Sequence, residues 1–532
     1  MSFISHFQYG YNDGKVYQAI DENSQTTNFC YFVGGCTGST PDPWGRLTQI
    51  SYPDGGSTTA SYVDTGSNPT TTISKVMNST TSEVQETIFD GMGRAVQTQA
   101  LDPLGTVYTN TLYDGLGQVY RQSNPTRCSS TPGTLPVSCS EPTWGYSTLT
   151  YDSIGRKTQQ QNPDGSIQQW CYNDIVSTGQ TNCHAHTISS IAAWTDTADE
   201  NCNDWQRTSD GLGRLTAVAE PSGSNPTPTM LTNYAYDALG DLLSVSQIGN
   251  GSSDVARTQR SFTYDSLSRL LTAVNGESGS LSYSYDANGN VQSKTVPQPS
   301  AVIGSGLTTT TNYFYDVLNR LTAKSYSDGS TPWSCYLYDS ATNGIGRLAS
   351  EWTQKASIAS CPTSLPSSPN YFTAKSISAY DQTGRLWSET QCTPSGCRSS
   401  NPCQTTGGQQ SFAYDLAGNL TCYNNGISST PAAASSPVAF FQSFDAAGRL
   451  STITTNMNNP TTTLFAAQGY AAFGGLTNAT YGSNGSGTNA VSVSRTFDTR
   501  LRVTSEADLG NSPSSGTNGS ALVTITGVEQ SR

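Results

Sequence analysis

Hydrophobic residues along this chain come in short alternating runs rather than helical stripes. In six places two aromatic residues stand two positions apart: Tyr234/Tyr236, Phe262/Tyr264, Tyr283/Tyr285, Tyr313/Tyr315, Tyr336/Tyr338 and Phe412/Tyr414. A period of two places both rings on one face of a β-strand. No long amphipathic pattern of period 3.6 occurs, so helix is expected to be nearly absent. Turn-forming residues punctuate the runs, and the whole pattern predicts a meander of about thirty short antiparallel strands.

The punctuation is itself a repeat. One unit recurs fourteen times: aromatic, Asp, two variable residues, Gly, Arg, then an aliphatic residue. Full copies are Tyr151-Asp152-Ser153-Ile154-Gly155-Arg156 and Tyr380-Asp381-Gln382-Thr383-Gly384-Arg385. The others centre on Asp42, Asp90, Asp114 (with Tyr113 and Gly117), Asp210 (Gly213, Arg214), Asp237 (Tyr236) and Asp265 (Tyr264, Arg269). They continue through Asp286 (Tyr285), Asp316 (Tyr315, Arg320), Asp339 (Tyr338, Arg347), Asp415 (Tyr414, Gly418), Asp445 (Gly448, Arg449) and Asp498. The copy at Asp339 carries a three-residue insertion, Asn343-Gly344-Ile345.

This spacing reads as a hairpin turn. Asp suits the first position of a type I turn, where its carboxylate accepts a backbone N–H. Gly at the fourth position supplies the left-handed conformation that closes the hairpin with a bulge. Arg opens the next strand, and its guanidinium is expected to fork to an Asp of its own or a neighbouring turn. Ser268, Asn319 and Leu501 replace the Gly, and Gln118, Asp241, Asn290 and Asn419 replace the Arg. A second turn alternates with the first, as Pro53-Asp54-Gly55, Pro163-Asp164-Gly165 and Ser327-Asp328-Gly329. Stacked hairpins would align the aromatic rings into ladders that supply buried area.

Composition agrees with such a protein. Of 532 residues only 34% are hydrophobic and 12% charged, while Tyr numbers 28 and Gly 50. That mixture cannot fill a thick aliphatic core. A net charge of −13 and a pI near 4.6 argue against nucleic acid as a partner. No apolar run is long enough for a membrane span. Met1 to Gly10 carries no visible signal peptide. Thirteen cysteines, several in polar insertions, point to disulfides and an extracellular or cell-surface location.

The turn motif resembles the YD repeat of the RHS-repeat family, shared with teneurins and the shell subunits of bacterial Tc toxins. The resemblance covers roughly residues 41–505. It extends to Gly469-Tyr470-Ala471-Ala472-Phe473-Gly474-Gly475-Leu476 and Phe497-Asp498-Thr499-Arg500-Leu501-Arg502. It implies an all-β array of antiparallel hairpins forming a long curved or spiralling sheet. In the family that sheet is a shell around a toxin or other cargo. The expected organisation is residues 1–40 as opening strands or cap, 41–505 as the array, and 506–532 as a Gly/Ser/Thr-rich segment. Bacterial members often carry an Asp-Pro-Xaa-Gly motif linked to self-cleavage near their end. Nothing like it follows Arg502, and Asp102-Pro103-Leu104-Gly105 lies early in the array, where it reads as a turn.

The expectation is therefore a non-catalytic shell segment whose partner is an encapsulated polypeptide or further shell segments. An active site occurs once and a turn occurs in every hairpin, so the repeated Asp and Arg are read as structural. No cofactor or metal is expected. Cys183-His184-Ala185-His186, with Cys171 and Cys202 nearby, lacks zinc spacing. Asp199-Glu200-Asn201-Cys202-Asn203-Asp204 lacks the sixth-position Gly of a calcium loop. Candidate disulfide cysteines are Cys128, Cys139, Cys171, Cys183, Cys335 and Cys361; Cys392, Cys397 and Cys403 with Cys422 would add two bridges of open connectivity. The alternative function is a secreted adhesive protein binding cell-surface glycans or proteins, with Trp170, Trp194, Trp205 and Trp352 stacking on sugars.

Overall fold

The computed structural model describes residues 4–172, 193–222, 225–248, 258–298, 306–355, 358–367, 370–392, 409–430, 433–457, 462–483, 490–510 and 520–526. These residues form 37 strands, from His6–Tyr9 to Ser520–Thr526, and one 3₁₀ turn at Gly35–Thr37. The fold is all-β, as the alternating pattern predicts. Every strand pairing resolved between neighbours is antiparallel and joins strands consecutive in sequence, as in Gly279–Tyr285 with Val291–Pro297 and Val291–Pro297 with Thr308–Tyr315.

The register slips by one residue where the aromatic meets its partner, between Ser284 and Tyr285 and equally between Thr263 and Tyr264. These are the expected bulges. Their recurrence keeps the face assignment constant from one hairpin to the next, because any uncompensated slip would turn the strand over.

The chain forms two compact units. One comprises Met1–Tyr146, Tyr336–Thr353 and Pro362–Arg532; the other comprises Ser147–Cys335 and Gln354–Cys361. The division falls inside the repeat array rather than at its ends. Aliphatic burial is sparse, as the composition requires. One small cluster in the first unit joins Ala341, Ala349 and Ile377, with Leu348, Tyr380 and Leu386 against it. Many fully buried side chains are polar instead, including Gln97, Asn110, Thr126 and Asn424. Gln97 faces Asn110 across the strand pair and donates to its Oδ1 at 2.8 Å.

Candidate functional site

Each Asp turn is built from backbone first. In the copy at Asp152, the Asp152 N–H donates to the Arg156 carbonyl at 2.9 Å and the Gly155 N–H to the Asp152 carbonyl at 3.1 Å. Oδ1 of Asp152 then accepts the N–H groups of Ile154 (3.0 Å) and Arg156 (2.9 Å). The same bonds recur at Asp90, Asp210, Asp265, Asp316 and Asp381. Gly155, Gly213 and Gly384 lie at φ of 88°, 80° and 86°. The three residues replacing Gly keep that conformation: Ser268, Asn319 and Leu501 have φ of 58°, 60° and 64°.

The Arg pairs with its own Asp. Nε of Arg156, Arg214, Arg269 and Arg320 lies 2.6–2.7 Å from Oδ2 of the Asp four residues earlier. Asn290 and Asn419 substitute by donating Nδ2 to Asp286 and Asp415, both at 2.9 Å. At Asp339 the insertion breaks the pattern: Gly346 N–H takes the carboxylate at 2.7 Å and Arg347 turns to the Asn343 carbonyl at 2.6 Å.

The aromatic rings are linked differently from a ring-on-ring ladder. An Arg guanidinium lies over the Tyr ring of a following hairpin: Arg94 over Tyr113 (4.6 Å), Arg214 over Tyr236 (5.2 Å), Arg269 over Tyr285 (4.8 Å) and Arg385 over Tyr414 (4.8 Å). The guanidinium is attracted to the ring face, so alternating Arg and Tyr is favoured over stacking rings directly. The Tyr hydroxyl reaches back to the preceding repeat. Tyr113 donates to the Ala95 carbonyl (3.0 Å), Tyr285 to Leu270 (2.8 Å), Tyr315 to Val291 (2.9 Å) and Tyr380 to Leu348 (2.8 Å). This bond explains why the position prefers Tyr to Phe.

Several carboxyls are acidified by these contacts. The N–H groups of Arg94, Arg214 and Arg269 hold Asp90, Asp210 and Asp265 below the usual carboxylate range. Asp42, gripped by the Arg46 guanidinium, is lowered to about 2. These groups stay ionised at neutral pH and are occupied by the turn, which leaves them poor proton donors.

In the first unit the repeats meet a second time. Residues 21–127 form an early run and residues 339–500 a late one, and they touch in the same order along both. Asn23 Oδ1 accepts the Ile345 N–H at 2.8 Å. Arg385 Nη2 bonds Asp54 at 2.9 Å, and the Leu416 N–H bonds the Met77 carbonyl at 3.0 Å. Arg449 Nη1 lies 2.7 Å from Asp102, and Arg127 Nη2 bonds the Tyr470 carbonyl at 2.9 Å. In each of the first four contacts a late-run Asp turn meets a turn of the early run.

Asp102 is the centre of this seam. Its side chain is 2% exposed and lies between Arg127 and Arg449. Oδ1 accepts Arg127 Nε and Nη2 at 3.1 and 2.9 Å and the Leu104 N–H at 2.9 Å. Gly105 closes the turn through its N–H to the Asp102 carbonyl, 3.0 Å away. The Asp-Pro-Leu-Gly segment is thus a turn whose carboxylate serves two guanidiniums. The late-run Arg was legible as a turn residue, but its far partner was not, because no local signal couples positions 102 and 449.

The cysteines divide. Cys128 and Cys139 are bonded, as are Cys335 and Cys361, with Cα separations of 5.6 and 5.7 Å. Cys30 and Cys36 form a third bridge that the sequence reading did not single out. Cys171 is disulfide-bonded, while its expected partner Cys183 lies outside the described residues, as do His184, His186, Cys397, Cys403 and the side chain of Cys392. Cys422 is buried on strand Leu420–Thr430. Cys202 is an exposed free thiol.

Asp199 adopts the backbone bonds of the Asp turn: its carboxylate accepts the N–H groups of Asn201 and Asn203, both at 2.8 Å, and Asn203 Nδ2 at 2.9 Å. It is a turn whose carboxylate oxygens accept from amides. Of the four tryptophans of the adhesive reading, Trp170, Trp194 and Trp205 are half-buried and one is buried. Trp352 is 3% exposed, and Lys157 covers Trp170 at 3.7 Å. The strongly exposed one is Trp44, at 75%.

No family model matches this sequence, and no curated protein matches it. Solved structures do. The chain is similar to TcdB2-TccC3 crystallised without its hypervariable C-terminal region, at 11% identity and TM-score 0.64, over 95% of this chain and 28% of that one. It is similar to the TcdB2-TccC3-Cdc42 crystal structure at 11% identity and TM-score 0.61, over 95% and 31% of the two chains. The present chain therefore spans less than a third of the length of either solved chain. At this identity the likeness is one of architecture, and with the strand order and turns above it establishes that the chain has the all-β hairpin-array fold found in TcdB2-TccC3.

Proposed function

We propose that this chain is a wall segment of an RHS/YD-repeat shell, a non-catalytic scaffold that encloses a polypeptide cargo. The observation that carries this reading is the seam of the first unit. There a late run of turns lies on an early run in matching order, as successive courses of a wall do. The repeated Asp and Arg support a scaffold because each carboxylate caps its own turn and, in most copies, pairs with that turn's Arg. The disulfides among the described residues fit an oxidising, extracellular setting.

Cryo-electron microscopy of the purified chain tests the proposal. A curved sheet walling a lumen is expected, and a compact particle without one would reject the reading. A protease-protection assay on a co-expressed polypeptide then tests enclosure. Protection that disappears when the seam is broken by Asp102→Asn is the expected result; equal digestion with and without this chain would refute it.

A further inference from the structure

One end of the seam in the first unit is held by a stretch that is not a strand. After Val119–Ser123 no strand forms until Tyr146–Tyr151. Two side chains of this stretch cross to the late run. Asn124 Nδ2 donates to the Thr499 carbonyl at 2.6 Å, and Arg127 Nη2 to that of Tyr470 at 2.9 Å. Arg127 grips Asp102 as well. Thr126, between them, exchanges backbone bonds with Tyr108 at 2.7 and 2.9 Å.

Arg127 is placed by a carboxylate that arrives from beyond a loop. Glu141 Oε2 accepts the Arg127 N–H at 3.1 Å and the hydroxyl of buried Thr126 at 2.6 Å; Oε1 lies 3.8 Å from Arg127 Nη1. The intervening loop, Ser129 to Ser138, is rich in Ser, Thr, Pro and Gly and contains no strand. Such a sequence does not by itself hold its ends together. Ser130 ties the outgoing arm to the sheet, its hydroxyl donating to Asn110 Oδ1 at 3.0 Å and its carbonyl accepting Gln97 Nε2 at 3.1 Å. The returning arm is held at one end by Asn124, which bonds the Thr143 and Gly145 carbonyls, both at 2.8 Å. At its other end it is held by the Cys128–Cys139 bridge, which joins residues 11 apart in sequence. Both cysteines are half-buried, and Ser129, Ser138 and Ser140 beside them are exposed, so a small thiol can reach the sulfurs. The Cys30–Cys36 bridge sits instead by Gln49 and Ser51, and Cys335 of the third bridge is fully buried.

We propose that the Cys128–Cys139 bridge is a redox latch on the seam, opened by a small-molecule thiol. Thiolate attack on one sulfur gives a mixed disulfide, which a second thiol resolves. Two RSH become RSSR, the protein S–S bond breaks, and Cys128 and Cys139 each gain a proton. Glu141 then loses its fixed place beside Arg127, and the hold of Arg127 on Asp102 and on the Tyr470 carbonyl weakens. The seam is closed in an oxidising medium and loosened at this end where free thiols abound. The inference rests on the seam and is independent of whether the wall encloses cargo.

Hydrogen exchange of the full chain, read by mass spectrometry, tests this. Cys128→Ser/Cys139→Ser leaves the other bridges intact. It should raise exchange about tenfold or more in residues 102–127 and 462–470, as expected for removing a loop-closing bridge. Wild type in glutathione, with opening of this bridge verified by alkylation and peptide mass, should show the same rise. Glutathione should add nothing at those amides in the double-serine variant. Glu141→Gln, with the bridge intact, should give a smaller rise at the same amides. Cys30→Ser/Cys36→Ser should exchange there as wild type does and still respond to glutathione. An opened bridge that leaves residues 462–470 at their oxidised rate overturns the proposal. So does a rise in the double-serine variant that extends equally to the Asp265 and Asp286 hairpins, or one that Cys30→Ser/Cys36→Ser reproduces.

Discussion

Replacing Asp102 with Asn removes one negative charge from the centre of the seam and almost no volume. The carboxylate is 2% exposed, and its two guanidinium partners are only 18% and 17% exposed. Breaking a buried pair by removing one partner typically costs 3–5 kcal/mol. The Arg side chains retain some access to water, which places the expected loss at about 3 kcal/mol. The asparagine Oδ1 can still accept from Leu104 and Arg127. Its amide NH₂ then faces Arg449, 2.7 Å from the replaced oxygen, donor against donor. Arg449 keeps its bond to Asp445 at 2.7 Å, so the late-run turn should survive while the seam loosens.

Hydrogen exchange read by mass spectrometry separates these effects. Amides in residues 102–127 and 445–470 should exchange faster, whereas those of the Asp265 and Asp286 hairpins in the other unit should not change. Urea unfolding supplies the magnitude. A loss below about 1 kcal/mol would mean that Asp102 is effectively solvated and that the ion triad does not hold the seam. A uniform rise in exchange over both units would mean that the substitution unfolds the chain globally, and the seam argument would fail.

Three further outcomes are expected. Gly384→Val should destabilise more than Gly213→Val: both positions are left-handed, at φ of 86° and 80°, but only at Gly384 does an added Cβ run into the Arg347 guanidinium. The strain alone is worth about 1–2 kcal/mol, and equal unfolding midpoints would refute the added clash. Tyr285→Phe should cost about 1 kcal/mol by deleting the bond to the Leu270 carbonyl at 2.8 Å, and an unchanged midpoint would show that the hydroxyl is not needed. Acid resistance should be high. Asp42 is lowered to about 2, so its contribution is complete above the unfolded value near pH 4 and is lost as pH falls from there through about 2. Loss of the first hairpins' near-ultraviolet signal at pH 5 would contradict this.

Much of the fold was legible because its determinants are local. An Asp–Gly–Arg turn is decided within five residues: the carboxylate caps two N–H groups of its own turn, and the fourth residue must adopt positive φ. Even Leu501 obeys at 64°, so the repeat's backbone overrules a side chain poorly suited to it. Period-two aromatics likewise fix which face a strand presents. Further turns of this form, at Asp199 and Asp21, were missed because Ala198 and Ile20 stand in the aromatic position and Cys202 and Ser24 in that of Gly.

The sequence by itself determined the strands and the turns, because these contacts span at most one hairpin; it left open whether each Arg would pair with the Asp of its own turn or of a neighbouring one. It also determined that the chain could not rest on an aliphatic core. Tertiary structure decided the rest. Where the turn carries Arg, the ladder of rings proved to be Arg alternating with Tyr, since neighbouring hairpins bring a guanidinium over the ring face. The partners of Arg385 and Arg449 across the seam, Asp54 and Asp102, lie more than 300 residues away in sequence. No periodicity encodes such a distance. It depends on how far the chain travels before it returns, which is the sum of many small twists and insertions rather than a property of any one motif.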